Sequence, residues 1–256
     1  MGSLLLNKNI LIMGLRNKWS IAWGIAQAAA LEGGNLIFTC QSEREKKETE
    51  KLISDIGNFS VYVCDISSDN DIDELFDVIK EKYGVIHGVV HAIAHANAEE
   101  LKNPFLYTSR EGFAHALDVS AYSLVAVSRR AKDVMTDGGS ILTLTYMGSE
   151  KVFSGYNVMG VAKAALETSV MYLASDMGSF KIRVNAISAG PIKTMSAMGV
   201  SNFSSILNVA EGQAPLKRCV TKEDIGKASI FYLSDLSSGI TGEVTHVDCG
   251  FNIMGV

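Results

Sequence analysis

Short apolar runs alternate with longer stretches of helical period along the whole chain. The runs are Ile10–Met13, Leu36–Cys40, Val61–Cys64, Gly88–His91, Ile141–Thr145, Val184–Ile187 and Glu243–Val247. They are mostly continuous rather than alternating in hydrophobicity, as in strands buried on both faces. Between them, Ser20–Glu32, Asp69–Lys82, Ala121–Met135 and Tyr156–Asp176 predict helices. Strand and helix in this alternation predict an α/β fold: a Rossmann-like, doubly wound parallel sheet of about seven strands with helices on both faces. No linker, low-complexity tract or repeat interrupts the pattern. Residues 1–256 are therefore expected to form a single domain.

In such sheets ligands collect at the carboxyl ends of the strands. The first run ends at Gly14 and leads through Leu15–Trp19 into Ser20 and Ile21, where a helix is predicted. Glycine lets a ligand approach the backbone, and a helix amino end favours a pyrophosphate. Ser20 can cap that helix or offer its hydroxyl to a phosphate. The strict G-x-G-x-x-G spacing is absent, so placement after the first strand carries the dinucleotide reading. The second run ends at Gln41, where NAD sites often have an acidic residue for the ribose hydroxyls. A neutral amide can donate and accept hydrogen bonds there without repelling a 2′-phosphate. Arg44, Lys46 and Lys47 lie close by, diluted by Glu43, Glu45 and Glu48 as in a solvated helix start. NADH is expected in preference to NADPH. Asp65, after the third run, can accept from an adenine amino group or simply turn the chain into its helix near Ser67.

Composition narrows the classes. Hydrophobic residues make up 47% and charged residues 20%, and the net charge of -5 argues against a general nucleic-acid or membrane surface. Cys40, Cys64, Cys219 and Cys249 show no metal-ligand spacing, so no metal site is expected and the thiols fit a reducing cytoplasm. No signal peptide and no apolar run of membrane-spanning length is visible.

Tyr156 and Lys163 stand seven positions apart. On one helix that spacing returns to within about 20° of the same face, roughly 10 Å along the axis. A proton donor beside a cation that binds a polar ligand is the chemistry this suggests. Alone the pair is a weak pattern. It stands, however, with Ser20-Ile21-Ala22, His91-Ala92-Ile93-Ala94, Ser109–Phe113, Tyr146, Tyr156–Gly160, Arg183–Pro191, Asp235–Gly239 and His246-Val247-Asp248. Together these resemble the short-chain dehydrogenase/reductase superfamily, and more closely its divergent bacterial branch, the type I enoyl-[acyl-carrier-protein] reductases. The ordinary superfamily pattern Tyr-x3-Lys fails, because its lysine position holds Gly160; the branch's Tyr-x6-Lys is met.

The resemblance implies NADH-dependent reduction of the trans-2 double bond of enoyl thioesters on acyl carrier protein, in bacterial fatty-acid elongation. Hydride on the β-carbon places negative charge on the thioester oxygen, three bonds away, and Tyr156 would stabilise that enolate. Lys163 would bind the nicotinamide ribose, and Tyr146 would serve as a second active-site tyrosine. Gly14, Ser20, Ile21, Gln41, Asp65, Ile66, Ile93, Ile192, Lys193, Thr194, Met195 and Ser196 would meet the cofactor. Ala96, Met159 and Phe203 would join the two tyrosines around the substrate. A lid is expected around 192–208, and Lys193, Lys217, Arg218 and Lys222 are the cations nearest it for an acidic carrier. A homotetramer is implied, with helices Ala121–Met135 and Tyr156–Ala174 supplying interfaces. The alternatives are a carbonyl or alcohol oxidoreductase of the same superfamily and a non-catalytic redox sensor.

Overall fold

The computed structural model describes residues 3–194 and 203–255. Seven strands form one sheet: β1 (Asn9–Met13), β2 (Asn35–Cys40), β3 (Ser60–Val63), β4 (Gly88–His91), β5 (Gly139–Thr145), β6 (Ile182–Ala189) and β7 (Val244–Val247). Their order is β3-β2-β1-β4-β5-β6-β7, and every neighbouring pair is parallel. Successive side chains of a strand point to opposite faces. Leu11 and Met13 therefore enter one core cluster with Val89, Ile141 and Val184. Ile10 and Ile12 enter the other with Leu36, Phe38, Val90 and Leu142. Both faces are covered, which is why the runs read as continuously apolar.

The larger helices are α1 (Ile21–Leu31), α2 (Glu43–Ile53), α3 (Asp69–Tyr83), α4 (Ala98–Lys102), α5 (Arg110–Leu117), α6 (Ser123–Val134), α7 (Val158–Met177), α8 (Phe203–Gln213) and α9 (Lys222–Leu233). α1 and α9 pack backbone to backbone. A Cβ on Gly24 would lie 2.2 Å from the Lys222 carbonyl oxygen, and one on Gly226 would lie 2.4 Å from that of Gly24.

The winding reverses between β1 and β4, which places the ligand-binding crevice at their carboxyl ends. There the loop after β1 touches the loop after β4. Gly14 has φ +89°, and a Cβ on it would meet the Ala92 carbonyl oxygen at 2.1 Å. Only glycine satisfies both the dihedral and the contact.

Two expectations change. The helix predicted over Ala121–Met135 is present as α6, but it is entered through a π-helical turn over Asp118–Tyr122. The helix expected from Tyr156 begins at Val158, because Asn157 has φ 44° and ψ −123°, outside helical space. Tyr156 therefore precedes α7, and it does not share a helix face with Lys163.

Candidate active site

The two tyrosines meet at the carboxyl end of β5. Tyr146 directly follows that strand and Tyr156 closes the turn before α7, where its N–H donates to the Phe153 carbonyl at 3.1 Å. Their rings lie edge to face, with centroids 5.0 Å apart and planes at 72°. Phe153 packs on Tyr146 with the same 5.0 Å centroid separation. The fit depends on Gly148, in the short 3₁₀ turn Met147–Ser149. A Cβ there would lie 2.5 Å from Tyr156 Cδ1 and 3.0 Å from Tyr146 Cδ1. A Cβ on Gly160 would in turn lie 2.7 Å from the Gly148 carbonyl oxygen. The position that holds lysine in Tyr-x3-Lys is thus pressed against backbone and admits no side chain.

Asn157 holds the strained turn. Its Nδ2 donates to the carbonyl oxygens of Asn103 at 2.7 Å and Glu100 at 3.2 Å. This ties the turn to the carboxyl end of α4.

Lys163 enters from the second turn of α7 and is 6% exposed. Its Nζ donates to the Leu144 carbonyl at 2.8 Å, fixing the ammonium beside the end of β5. Burial lowers its pKa to about 8, and Glu167, one helical turn further on, pulls the other way. The Glu167 carboxylate accepts the hydroxyls of Thr145 at 2.5 Å and Ser149 at 2.6 Å. Burial raises both tyrosine pKa values well above the ordinary phenol value; for Tyr156 the neighbouring Tyr146 and Glu167 add to it. Both phenols therefore keep their protons near neutral pH and can act as donors.

Behind this group, His91 is fully buried, with Nε2 2.8 Å from Ser123 Oγ and Nδ1 3.2 Å from Thr143 Oγ1. Burial and then the charge of Lys163 depress its pKa to about 3, so it is a neutral packing group. The segment carrying Ile93 and Ala96 is clamped by Ser120, whose Oγ accepts the His95 N–H at 2.9 Å. Met159 is buried with its sulfur 3.8 Å from the same Ser120 Oγ.

The amino end of α1 carries groups that could hold a dinucleotide. Ser42, Ser68, Ser109 and Thr221 cap α2, α3, α5 and α9 with side-chain oxygens, whereas α1, like α4, α6 and α7, has no side-chain cap, and no acidic residue stands in its first turn. Ser20 does not cap it; its hydroxyl donates to the Asn17 carbonyl at 2.6 Å. The first-turn amides, including that of Ile21, suit an anion. Asp65 accepts the Ser67 N–H at 3.0 Å and hydroxyl at 2.7 Å, and both bonds, with one from the Gln41 amide, hold its carboxyl below the usual range. Gln41 is exposed at the end of β2. Ile66 and Ile93 pack along one core cluster and Ile192 along the other. Lys193 is exposed and Thr194 partly buried. Met195 and Ser196, with the part of the expected lid over 195–202, lie outside the described residues, as does the side chain of Phe203.

Sequence reasoning missed Gly148, Glu167 and the bridging role of Asn157. Glu167 carried one signal, its spacing of four from Lys163 on a helix. The cations proposed for a carrier are partly committed: Arg218 pairs with Asp224 at 2.6 Å, and Lys222 Nζ donates to the Lys18 carbonyl at 2.5 Å.

Comparison with known proteins matches the same frame. Residues 14–252 match the family model described as Enoyl-(Acyl carrier protein) reductase. The chain is 52% identical to the enoyl-[acyl-carrier-protein] reductase [NADH] FabI of Bacillus cereus, over 98% of this chain and 99% of the relative. It is 53% identical to enoyl-[acyl-carrier-protein] reductase [NADH] 1 of Rhizobium meliloti, over 97% of this chain and 92% of the relative. The crystal structure of the Bacillus cereus protein with NADP+ and indole naphthyridinone superposes with a TM-score of 0.97 at 51% identity, covering 99% of this chain and 100% of that one. The Anaplasma phagocytophilum protein in complex with NAD gives 0.96 at 43% identity, covering 100% and 96%.

Proposed function

The chain belongs to the enoyl-[acyl-carrier-protein] reductase family, and from that premise we propose how its own residues carry out the reaction. It is an NADH-dependent oxidoreductase that reduces the trans-2 double bond of enoyl thioesters on acyl carrier protein in fatty-acid elongation. The amino end of α1 would hold the pyrophosphate, Asp65 the adenine amino group and Lys163 the nicotinamide ribose, using the N–H bonds not directed at Leu144. NADH supplies the hydride that the β-carbon receives. Tyr156, a neutral phenol, donates to the thioester oxygen and stabilises the enolate as charge develops there. Tyr146 fixes the ring of Tyr156 and lines the pocket, with Ala96 and Met159 on the substrate side.

The observation that carries this reading is the tyrosine pair itself. Tyr156 precedes α7 and leans on Tyr146, so its hydroxyl is set by the turn and by Gly148 rather than by helix periodicity with Lys163. A donor held off the helix suits an oxygen remote from the hydride acceptor better than a carbonyl oxygen directly beside it. The test is NADH oxidation with crotonyl and acetoacetyl thioesters in parallel. Oxidation by the crotonyl thioester alone supports the reading; oxidation by the acetoacetyl thioester alone contradicts it.

The whole chain acts as one reductase domain in this proposal, working in the cytoplasm as a homotetramer. Exposed Tyr122 and Val125 of the α5–α6 segment and Met171 and Tyr172 of α7 supply apolar surface for that assembly. No helix among the described residues is long and apolar enough to cross a membrane.

A further inference from the structure

The choice between NADH and NADPH turns on what stands at the end of β2, where Gln41 is joined by a carboxylate and a guanidinium. Its side-chain amide helps hold the Asp65 carboxyl below the usual carboxylate range. Its backbone N–H donates to Glu45 Oε2 at 3.0 Å, drawing a carboxylate from the first turn of α2 back to the strand end. Glu45 Oε1 lies 3.3 Å from Arg16 Nη2, which comes from the loop after β1. Strands β1 and β2 are adjacent and in register from Asn9↔Asn35 to Ile12↔Phe38, so that loop and the start of α2 share one corner of the sheet. A dinucleotide whose pyrophosphate rests on α1 puts its adenosine ribose at the end of β2. The ion pair therefore stands at the strand end where that ribose would lie.

NAD sites commonly present an acidic residue here, and NADP sites an arginine. This chain presents both, bound to each other. We propose that Glu45 is the residue that sets cofactor choice: its carboxylate rejects the 2′-phosphate of NADPH and holds Arg16, the cation that would otherwise receive that phosphate. The inference rests on the NADH-dependent reading above. A phosphate monoester carries a charge of about −1.5 to −2 near neutral pH, so placing it against a carboxylate is unfavourable by Coulomb repulsion. While paired, the Arg16 guanidinium has its Glu45 contact to give up before it can turn to a phosphate. Its side chain is 65% exposed and that of Glu45 28%, so the guanidinium is free to turn once the partner charge is gone. A guanidinium also matches phosphate oxygens in bidentate fashion. Arg44, exposed on α2, is the competing recipient.

Glu45→Gln removes the charge and keeps an oxygen to accept the Gln41 N–H, so the start of α2 is preserved; thermal melts check this. Dissociation constants for NADH and NADPH, measured by calorimetry on the parent, Glu45→Gln and the Arg16→Ala/Glu45→Gln double variant, give the readout without turnover. The parent is expected to bind NADH more tightly. In Glu45→Gln the ratio of the NADPH to the NADH constant should fall about tenfold or more, equivalent to about 1.4 kcal/mol. The double variant should return that ratio to near the parent value. An unmoved ratio in Glu45→Gln overturns the role of Glu45. A gain that survives loss of Arg16 overturns the role of Arg16 and points to Arg44. A parent that binds neither dinucleotide removes the reductase reading on which the proposal stands.

Discussion

Adding one methyl group at Gly148 should silence the enzyme while leaving its cofactor site intact. The alanine Cβ would lie 2.5 Å from Tyr156 Cδ1, 2.8 Å from its Cε1 and 3.0 Å from Tyr146 Cδ1. Carbon atoms settle at about 3.5–4.0 Å, so the Tyr156 ring must retreat by about 1 Å or more. Gly148 is not among the positive-φ glycines, so alanine costs nothing in backbone strain and the effect is steric. A displacement of about 1 Å at a reacting centre can reduce turnover on the order of 100-fold. Overpacking adds about 1–3 kcal/mol of destabilisation, a loss of a few degrees in Tm. Lys163 is fixed to Leu144, away from the new methyl, so NADH affinity should change little. Steady-state kinetics with an enoyl thioester, NADH titration and a thermal melt separate the three effects. In a Tyr156→Phe background the methyl should cost much less, because the hydroxyl it misplaces is already gone. Near-parental turnover in Gly148→Ala would refute the claim that ring placement sets the rate.

Tyr156→Phe alone should lower turnover by the equivalent of about 2–4 kcal/mol with NADH affinity nearly unchanged, and unchanged turnover on a carrier-bound substrate would remove Tyr156 from the chemistry. Because burial lowers Lys163 from 10.5 to about 8, NADH affinity of the free protein should fall as pH rises through about 8, and Lys163→Ala should bind weakly with no such step. The same group acts on stability with the opposite sign: between about 8 and 10.5 the unfolded chain binds the extra proton, so the stability of the unliganded protein owed to Lys163 rises with pH there. His91, lowered from 6.5 to about 3, should cost stability as pH falls through that window, since only the unfolded chain takes up the proton. Urea titrations across pH should show a shallower acid slope in His91→Gln than in the parent.

The sheet was legible because its central strands are buried on both faces, so Ile10–Met13 and Ile141–Thr145 read as unbroken apolar runs. The position of the crevice followed from the same runs, since Gly14, Gln41, Asp65 and Tyr146 all stand at strand ends. The start of α7 was not legible from periodicity. Seven residues from Tyr156 to Lys163 fit a helix face, but Asn157 departs from helical dihedrals and is held there by carbonyls from α4, a contact more than fifty residues away in the chain. Turn chemistry carried a local hint, because Tyr156 is flanked by Gly155 and Asn157, the two residue types most tolerant of positive φ, and both adopt it. In the sequence Glu45 is one of several charges in a solvated helix start. Its reach to Gln41 fits the helical spacing of four, but its pairing with Arg16 depends on β1 and β2 lying side by side.

The central claim is that hydride goes to the β-carbon of an enoyl thioester while Tyr156 stabilises the charge on its oxygen. Reduction of a crotonyl thioester with NADH deuterated at the transferred C4 position tests it most directly. Magnetic resonance and mass analysis of the product should find one deuterium, at C3, with the proton at C2 drawn from water. Deuterium at C2, or transfer only to the ketone carbon of an acetoacetyl thioester, would contradict the account.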